Sequence, residues 1–545
     1  MNALMKRIIF LTVVCITALP LFAQKDGGGI GNEQVVVVKE YEATIQDAQK
    51  VNIQPGIPDI EEKKPKLDYS IPVKDFKDIG FEANPMRPIA ISKEKLQAYS
   101  SSYIKIGFGS QLMPLVQIAY NDNKTKNLQF GILYDHLSAH DFMRSSDIKN
   151  QAFSDDKAGL YLKYSPKLVE AGLAFNFRNY RTHFYGTDSS YDEKDVRQVF
   201  RTYDGSVYIK NTQKNKLDIN VKQTLDFNYL QETFGGAHEW AFTGQTDISK
   251  SFLQYHSAYF RFNFDASELK NDSLSSLNRN IFTPMVGYAF NNDDWKAHAG
   301  LGVAIDGKTA IFVCDIHVEK RLYEHAIIAY AGYSRNDQKN SLNSLAQTNN
   351  FIHNWVDIKN SAVGDFGTGF KGTVENFSYN LAFHLVQDIR MPLFINDSAD
   401  MKRFLVTYDA NAIIYNGHFE AGYNAKEWLR FLLVGDYNYY HVKDNAYAWE
   451  NPAFKATLRA NYIWKNKISV TLDLYGLTGS KALLPENKVV NIKGTADVNI
   501  GAEYLMNKHL SFFISLNNIA NFKYQQWYNY AGYGINGMIG GKFSF

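Results

Sequence analysis

The sequence predicts an all-β protein: a transmembrane antiparallel β-barrel of about 22 strands, preceded by an extended N-terminal periplasmic arm. Three observations predict it. Apolar and polar residues alternate along most of the chain beyond residue 101, the period of strands with two unlike faces. Mean hydropathy is −0.31, as for a chain in water, yet 35 Tyr and 37 Phe bring the aromatic share to 14%. Lipid-facing and lumen-facing residues average out in this way along a barrel strand. The connections between strands also alternate, short with mostly long.

Taken in order, the leader comes first. MNALMKRIIFLTVVCITALPLFAQ has a basic start at Lys6 and Arg7, an apolar run and a small residue at Ala23. It reads as a secretory signal peptide over residues 1–23. The run stops at Pro20, too short for a membrane-spanning helix. Removal of the leader takes Cys15 with it and leaves Cys314, which by itself forms no intramolecular disulfide. Residues 24–100 open with DGGGIGN, and six of the 13 prolines fall between Pro55 and Pro88. Without a sustained apolar period, this stretch reads as an extended periplasmic arm. Within it, Val35, Val36, Val37 and Val38 form a short apolar strand suited to pairing with a partner's sheet edge.

The barrel is assigned to residues 101–545. In EAGLAFNFR the outward row is Ala171, Leu173, Phe175 and Phe177, against Asn176 and Arg178 on the other side. In KLDINVKQTLDFNYL the outward row is Leu217, Ile219, Val221, Leu225, Phe227 and Tyr229, interrupted by Gln223. In WKAHAGLGVAID it runs through Trp295, Leu301 and Ile305. Short turns such as SPK, ISKS, VEN and WKNK alternate with stretches such as RTHFYGTDSSYDEK and QDIRMPLFINDSADMK, with DGKT a short exception among the latter. This wiring assigns the short turns to the periplasm and the long connections to the cell exterior. Tyr120, Tyr164, Phe252, Trp295, Phe377, Trp428, Trp464 and Tyr504 sit beside the short turns, where an interfacial aromatic girdle belongs. An even strand number puts both ends of the barrel in the periplasm. The final row, Phe545, Phe543, Gly541 and Ile539, then closes onto the first strand, because lipid leaves no open sheet edge satisfied. Phe543 and Phe545 are the closure and insertion signal.

SLNNIANFKYQQWYNYAGYGINGMIGGKFSF resembles the last strands of TonB-dependent receptors, through Leu516–Ile519, Tyr524, the aromatics around Trp527 and the final Gly540–Phe545 strand. NSLNSLAQTNNFI and YDANAIIYNG resemble receptor-like barrels common in Bacteroidota. Those receptors carry a folded plug ahead of the barrel, whereas here 77 residues (24–100) stand in that place. The resemblance therefore implies a plug-less relative in a Gram-negative outer membrane. Its partners are outer-membrane lipid and lipopolysaccharide, the membrane-insertion machinery and periplasmic or outer-membrane proteins. Two functions are open: a channel or transporter, and a scaffold that docks periplasmic partners through the arm.

Enzyme and cofactor signals are weak. GTGFKG (Gly367, Gly369, Gly372) and GYGING (Gly532, Gly534, Gly537) match a dinucleotide pattern, but neither opens a helix in a βαβ unit, and the second is assigned to the last strand. Asp315, His317 and Glu319 share one side of a strand, which is ordinary for a polar lumen wall. No catalytic, cofactor-binding or metal-ligating residue is assigned. The net charge of +2, without a basic stripe, gives no nucleic-acid footprint.

Overall fold

The computed structural model describes residues 102–122, 125, 127–140, 151–186, 192–212, 217–271, 276–307, 309–353 and 357–545. The signal peptide, the arm and Val35–Val38 lie outside them. Twenty-two strands form one closed antiparallel sheet in which each pairs with its neighbours in sequence. The first strand, Ser102–Gly109, pairs with the last, Asn536–Ser544, from Tyr103↔Ser544 to Gly109↔Met538. The Phe545 amide donates to the Ser102 carbonyl at 3.0 Å, so the end of the chain is tied into the seam. Inside the seam, Lys105 stands over the Phe513 ring at 4.2 Å and Lys542 over Tyr103 at 4.7 Å.

The alternation sorts as expected. Leu173, Phe175, Leu225, Phe227, Leu301 and Ile305 are all exposed on the outer wall, which is the place for large apolar side chains only if lipid covers them. Register carries the outer row from strand to strand, as in Leu160↔Phe175, Phe175↔Gly205 and Gly205↔Phe227. Phe543 and Phe545 belong to that row, at 49% and 52% exposure. All eight girdle aromatics are exposed beside the short turns. The turns themselves are tight. Lys465 and Asn466 both take positive φ (48° and 52°), and the Lys467 amide donates to the Trp464 carbonyl at 3.0 Å. This mirror-image turn matches the twist of the strands it joins.

Several boundaries shift. ISKS is not the turn: the strand runs to Phe252, and the reversal falls at 253–255. Besides DGKT, three further connections at the long end are short, 110–112, 233–237 and 271–276. Gly532 and Gly534 precede the last strand, and only Gly537 of that motif lies in it. The stretch QDIRMPLFINDSADMK holds one strand of a small hairpin, Met391–Asn396 paired with Phe404–Asp409. Two more hairpins, Ser480–Leu484 with Lys488–Ile492 and Gln525–Trp527 with Tyr530–Ala531, lie in other long connections.

A candidate solute site beneath a cap of long connections

Twenty-two strands spaced by about 4.8 Å and tilted by about 40° close a ring roughly 40 Å across. Connections rooted at distant points of that ring nevertheless meet in one apolar cluster. The wall contributes Phe200, Leu230 and Leu269 from the sixth, seventh and ninth strands. Phe184 comes from the connection after the fifth strand, and Leu342, Leu345, Phe351 and Ile352 from that after the thirteenth. Phe394 and Phe404 come from the hairpin after the fifteenth strand, and Trp527 and Tyr530 from the connection after the twenty-first. These roots are spread around the ring, so the side chains meet only because the connections fold inward. Phe351 and Tyr530 stack with ring centroids 3.5 Å apart, and Trp527 meets Phe394 and Phe404 edge-on. A second cluster, Leu393, Ala448 and Trp449, ties the same hairpin to the connection after the seventeenth strand. The inward-folded connections form a cap with a packed core of its own.

Polar bonds anchor the cap. The helix Leu342–Thr348 starts with a capping box, in which the Ser341 hydroxyl accepts from the Ser344 amide and Ser344 returns a bond to the Ser341 amide. Arg279, buried on the inner wall, donates to Glu239 at 3.3 Å, to Asn360 at 3.1 Å and to the Asn340 carbonyl, while Glu239 accepts from the Asn343 amide at 3.1 Å. This buried pair holds both ends of the helical connection against the wall. Asp409 ends the small hairpin and accepts from the amides of Asn411, Lys443, Asp444 and Asn445 and from the Asn445 side chain. Burial alone would raise its carboxyl; these donors outweigh it and hold the group below the ordinary carboxylate range.

Beneath the cap lies a cavity of about 390 Å³. Arg178, Tyr180, Thr202 and Asp204 line it from the wall, Asn343, Gln347 and Asn350 from the helical connection, and Tyr524, Gln526 and Trp527 from the last one. Arg178 is bidentate to Asp155, at 2.7 and 3.0 Å. Asn350 donates to the Tyr180 hydroxyl at 2.6 Å, and Asn343 reaches Asp204 through Asn228. The lining is aromatic and amide-rich, with its arginine already paired to a carboxylate.

No family model and no curated protein matches the sequence. Solved structures do match. The FrpB iron transporter of Neisseria meningitidis (F3-3 variant) aligns with TM-score 0.65 at 12% identity, over 82% of this chain and 81% of the other. This chain has the barrel fold of the outer-membrane iron and siderophore receptors. The ferric enterobactin receptor PfeA of Pseudomonas aeruginosa gives TM-score 0.63 at 10% identity, over 82% and 80%. The pyoverdine outer membrane receptor FpvA of Pseudomonas aeruginosa PAO1 gives 0.60 at 12%, over 82% and 78%. All three are described as transporters or receptors.

In this barrel the sequence motifs find other uses. GTGFKG is part of the strand Ser361–Val374, where Gly369 faces the Leu381 carbonyl too closely to admit a Cβ. Asp315 is engaged by His298 at 3.0 Å, and Glu319 by Lys371 at 2.6 Å and Lys296 at 3.6 Å. Among the described residues no group of three or more His, Cys, Asp or Glu is arranged to hold a metal. Of the cavity residues, the sequence marked Tyr524 and the aromatics around Trp527 for their resemblance and Arg178 only as a polar wall position. NSLNSLAQTNNFI supplies the cap helix and much of the cavity lining.

Proposed function

We propose that this protein is an outer-membrane transport barrel whose own long connections form a cap over the lumen, with the cavity beneath the cap receiving the solute. The observation that carries the reading is the meeting of Phe351, Phe404, Trp527 and Tyr530 from well-separated roots on the ring. A bare ring of this strand number leaves a wide channel, and the packed cap supports regulated passage over free diffusion. The lining of tyrosines, tryptophan and side-chain amides suits a polar solute held by stacking and hydrogen bonds. The barrel's place is the outer membrane of a Gram-negative cell, with lipid and lipopolysaccharide around it and the insertion machinery acting during biogenesis. The long connections face outward, and the arm and C-terminus face the periplasm.

A second reading, in which the barrel is a scaffold, draws on the proline-broken arm and Val35–Val38. Conductance separates the two. Replacing Phe351 and Tyr530 together by alanine removes the stacked pair at the centre of the cap. In planar bilayers this double variant is expected to pass markedly more current than the parent. Unchanged conductance in a folded, heat-modifiable double variant rejects the cap as the gate. Deleting residues 28–95 tests the arm. Loss of co-purifying periplasmic proteins at unchanged conductance supports the scaffold, and raised conductance supports an arm that occupies the lumen.

A further inference from the structure

On the outer wall, away from the cap and the lumen, stands a group of polar side chains. His136 and Ser138 lie on the third strand, Leu128–Ala139, and Asp156 lies directly across from His136 on the fourth, Phe153–Tyr164. Register places them in the lipid-facing row. Going towards the long-connection end, that row passes Ile132↔Leu160↔Phe175, then Tyr134↔Ala158↔Phe177, then His136↔Asp156↔Asn179. The face changes from wholly apolar, through a row that carries Tyr134, to polar within three steps. Such a row marks the level of lipid headgroups, and the polar row stands at its edge.

The geometry is that of a nucleophile, a base and an orienting carboxylate. Asp156 Oδ1 lies 2.6 Å from His136 Nδ1, and His136 Nε2 lies 3.1 Å from Ser138 Oγ. The tautomer that donates from Nδ1 to Asp156 leaves Nε2 to accept the serine proton. Asp156 is fixed by further donors, Ser154 at 3.2 Å, the Tyr134 hydroxyl at 3.3 Å and Asn179 at 3.5 Å. Arg181 is paired across strands with Ser154, and Arg201 with Asn179. Arg181 Nε is buried and, among the described residues, has no hydrogen-bond partner, while Arg201 donates to Gln231 at 3.4 Å. Two cations at this level suit a lipid that carries phosphate.

We propose that Ser138, His136 and Asp156 form a serine-hydrolase centre on the outer wall of the barrel, acting on an acyl ester of a phosphorylated lipid. Ser138 Oγ attacks the ester carbonyl as its proton passes to His136 Nε2. The tetrahedral adduct expels the alcohol, which takes that proton, and leaves the acyl group on Ser138. Water then attacks the acyl-enzyme, giving its proton to His136, and the fatty acid leaves as Ser138 recovers a proton. Asp156 holds the imidazole and stabilises its charged form. Ser138 is only 3% exposed, so entry to the site is expected to limit the rate. The proposal does not depend on transport, since no residue of the cap or cavity takes part.

The test uses the full-length protein in phospholipid–detergent micelles with a fluorophosphonate probe. Peptide mass spectrometry of the unmutated protein is expected to find the adduct on Ser138. Ser138→Ala is expected to abolish labelling, and Asp156→Asn to slow it roughly 100-fold or more, with heat-modifiable migration kept. Fatty acid release from phosphatidylglycerol vesicles should fall in step. An unmutated protein that carries no adduct at Ser138, or equal ester hydrolysis by folded Ser138→Ala, overturns the proposal and leaves a purely structural polar network.

Discussion

Glu450 sits in the connection between the seventeenth and eighteenth strands, 6% exposed, and among the described residues neither carboxylate oxygen is in hydrogen-bonding geometry with a donor. Burial pushes its carboxyl up to about 8, against a weaker opposing pull from the Tyr528 amide. The unfolded chain titrates this group near 4.3. Its folded value is raised, so the cap is most stable below that pH and loses stability as pH rises towards 8. Glu450→Gln removes the titration. The variant is expected to hold the cap more firmly at pH 8, by on the order of 1–3 kcal/mol, and to differ little at pH 4. Hydrogen exchange of the 442–453 amides at the two pH values measures this, and equal protection at both rejects it. Asp409 illustrates the opposite solution. Surrounded by five donors, it stays ionised, and its contribution is lost only as pH falls through its lowered value.

At the scale of the element, each strand is defined by the contrast between its two faces. Phe175 is exposed on the outer face, and Asn176, beside it in sequence, faces the lumen. Arginine at Phe175, inside the apolar band, is expected to cost up to roughly 2–4 kcal/mol, because lipid cannot solvate its charge. Arginine at Asn176 meets a wall that already holds Arg178 and Asp155, and is expected to be tolerated. Leu225 and Asp226 form a second such pair. Urea titration of refolded barrels in lipid vesicles gives the comparison, and equal costs on both faces contradict the assignment. The lumen-facing ion pairs, such as His298–Asp315 and His384–Asp365, are each about a third exposed and add little to stability.

At the scale of the whole molecule, the closed sheet fixes which connections share an end. Ala446 lies with the long connections, and Asn466 in a short turn at the other end. Both are exposed, and the native Cys314 is buried. A cysteine at Ala446 is expected to react with an impermeant maleimide in intact cells, while one at Asn466 reacts only after lysis. The reverse pattern would overturn the orientation. Closure also links the ends of the chain, with Phe543 against Ile104 and the Phe545 amide on Ser102.

The period of two, together with the alternation of short and long connections, was enough to determine the barrel. Strand number, the outward rows through Phe175 and Leu301, the girdle at Trp295 and Trp464, and the closure at Phe545 are all legible because each rests on neighbours in sequence or on the rule that lipid leaves no backbone unpaired. The cap was not legible. Trp527 and Tyr530 lie in a stretch that reads as resembling terminal strands, Phe351 in one noted for its resemblance, and nothing local says that residues nearly 180 positions apart will stack. The cavity beneath them is set by where those connections meet. The His136–Ser138–Asp156 group was likewise hidden, since alternation places His136 and Ser138 on one face but only the strand register brings Asp156 opposite. Local periodicity is a property of the chain, and long-range convergence is a property of the closed ring, so the wall could be read from sequence while the sites on it required the fold.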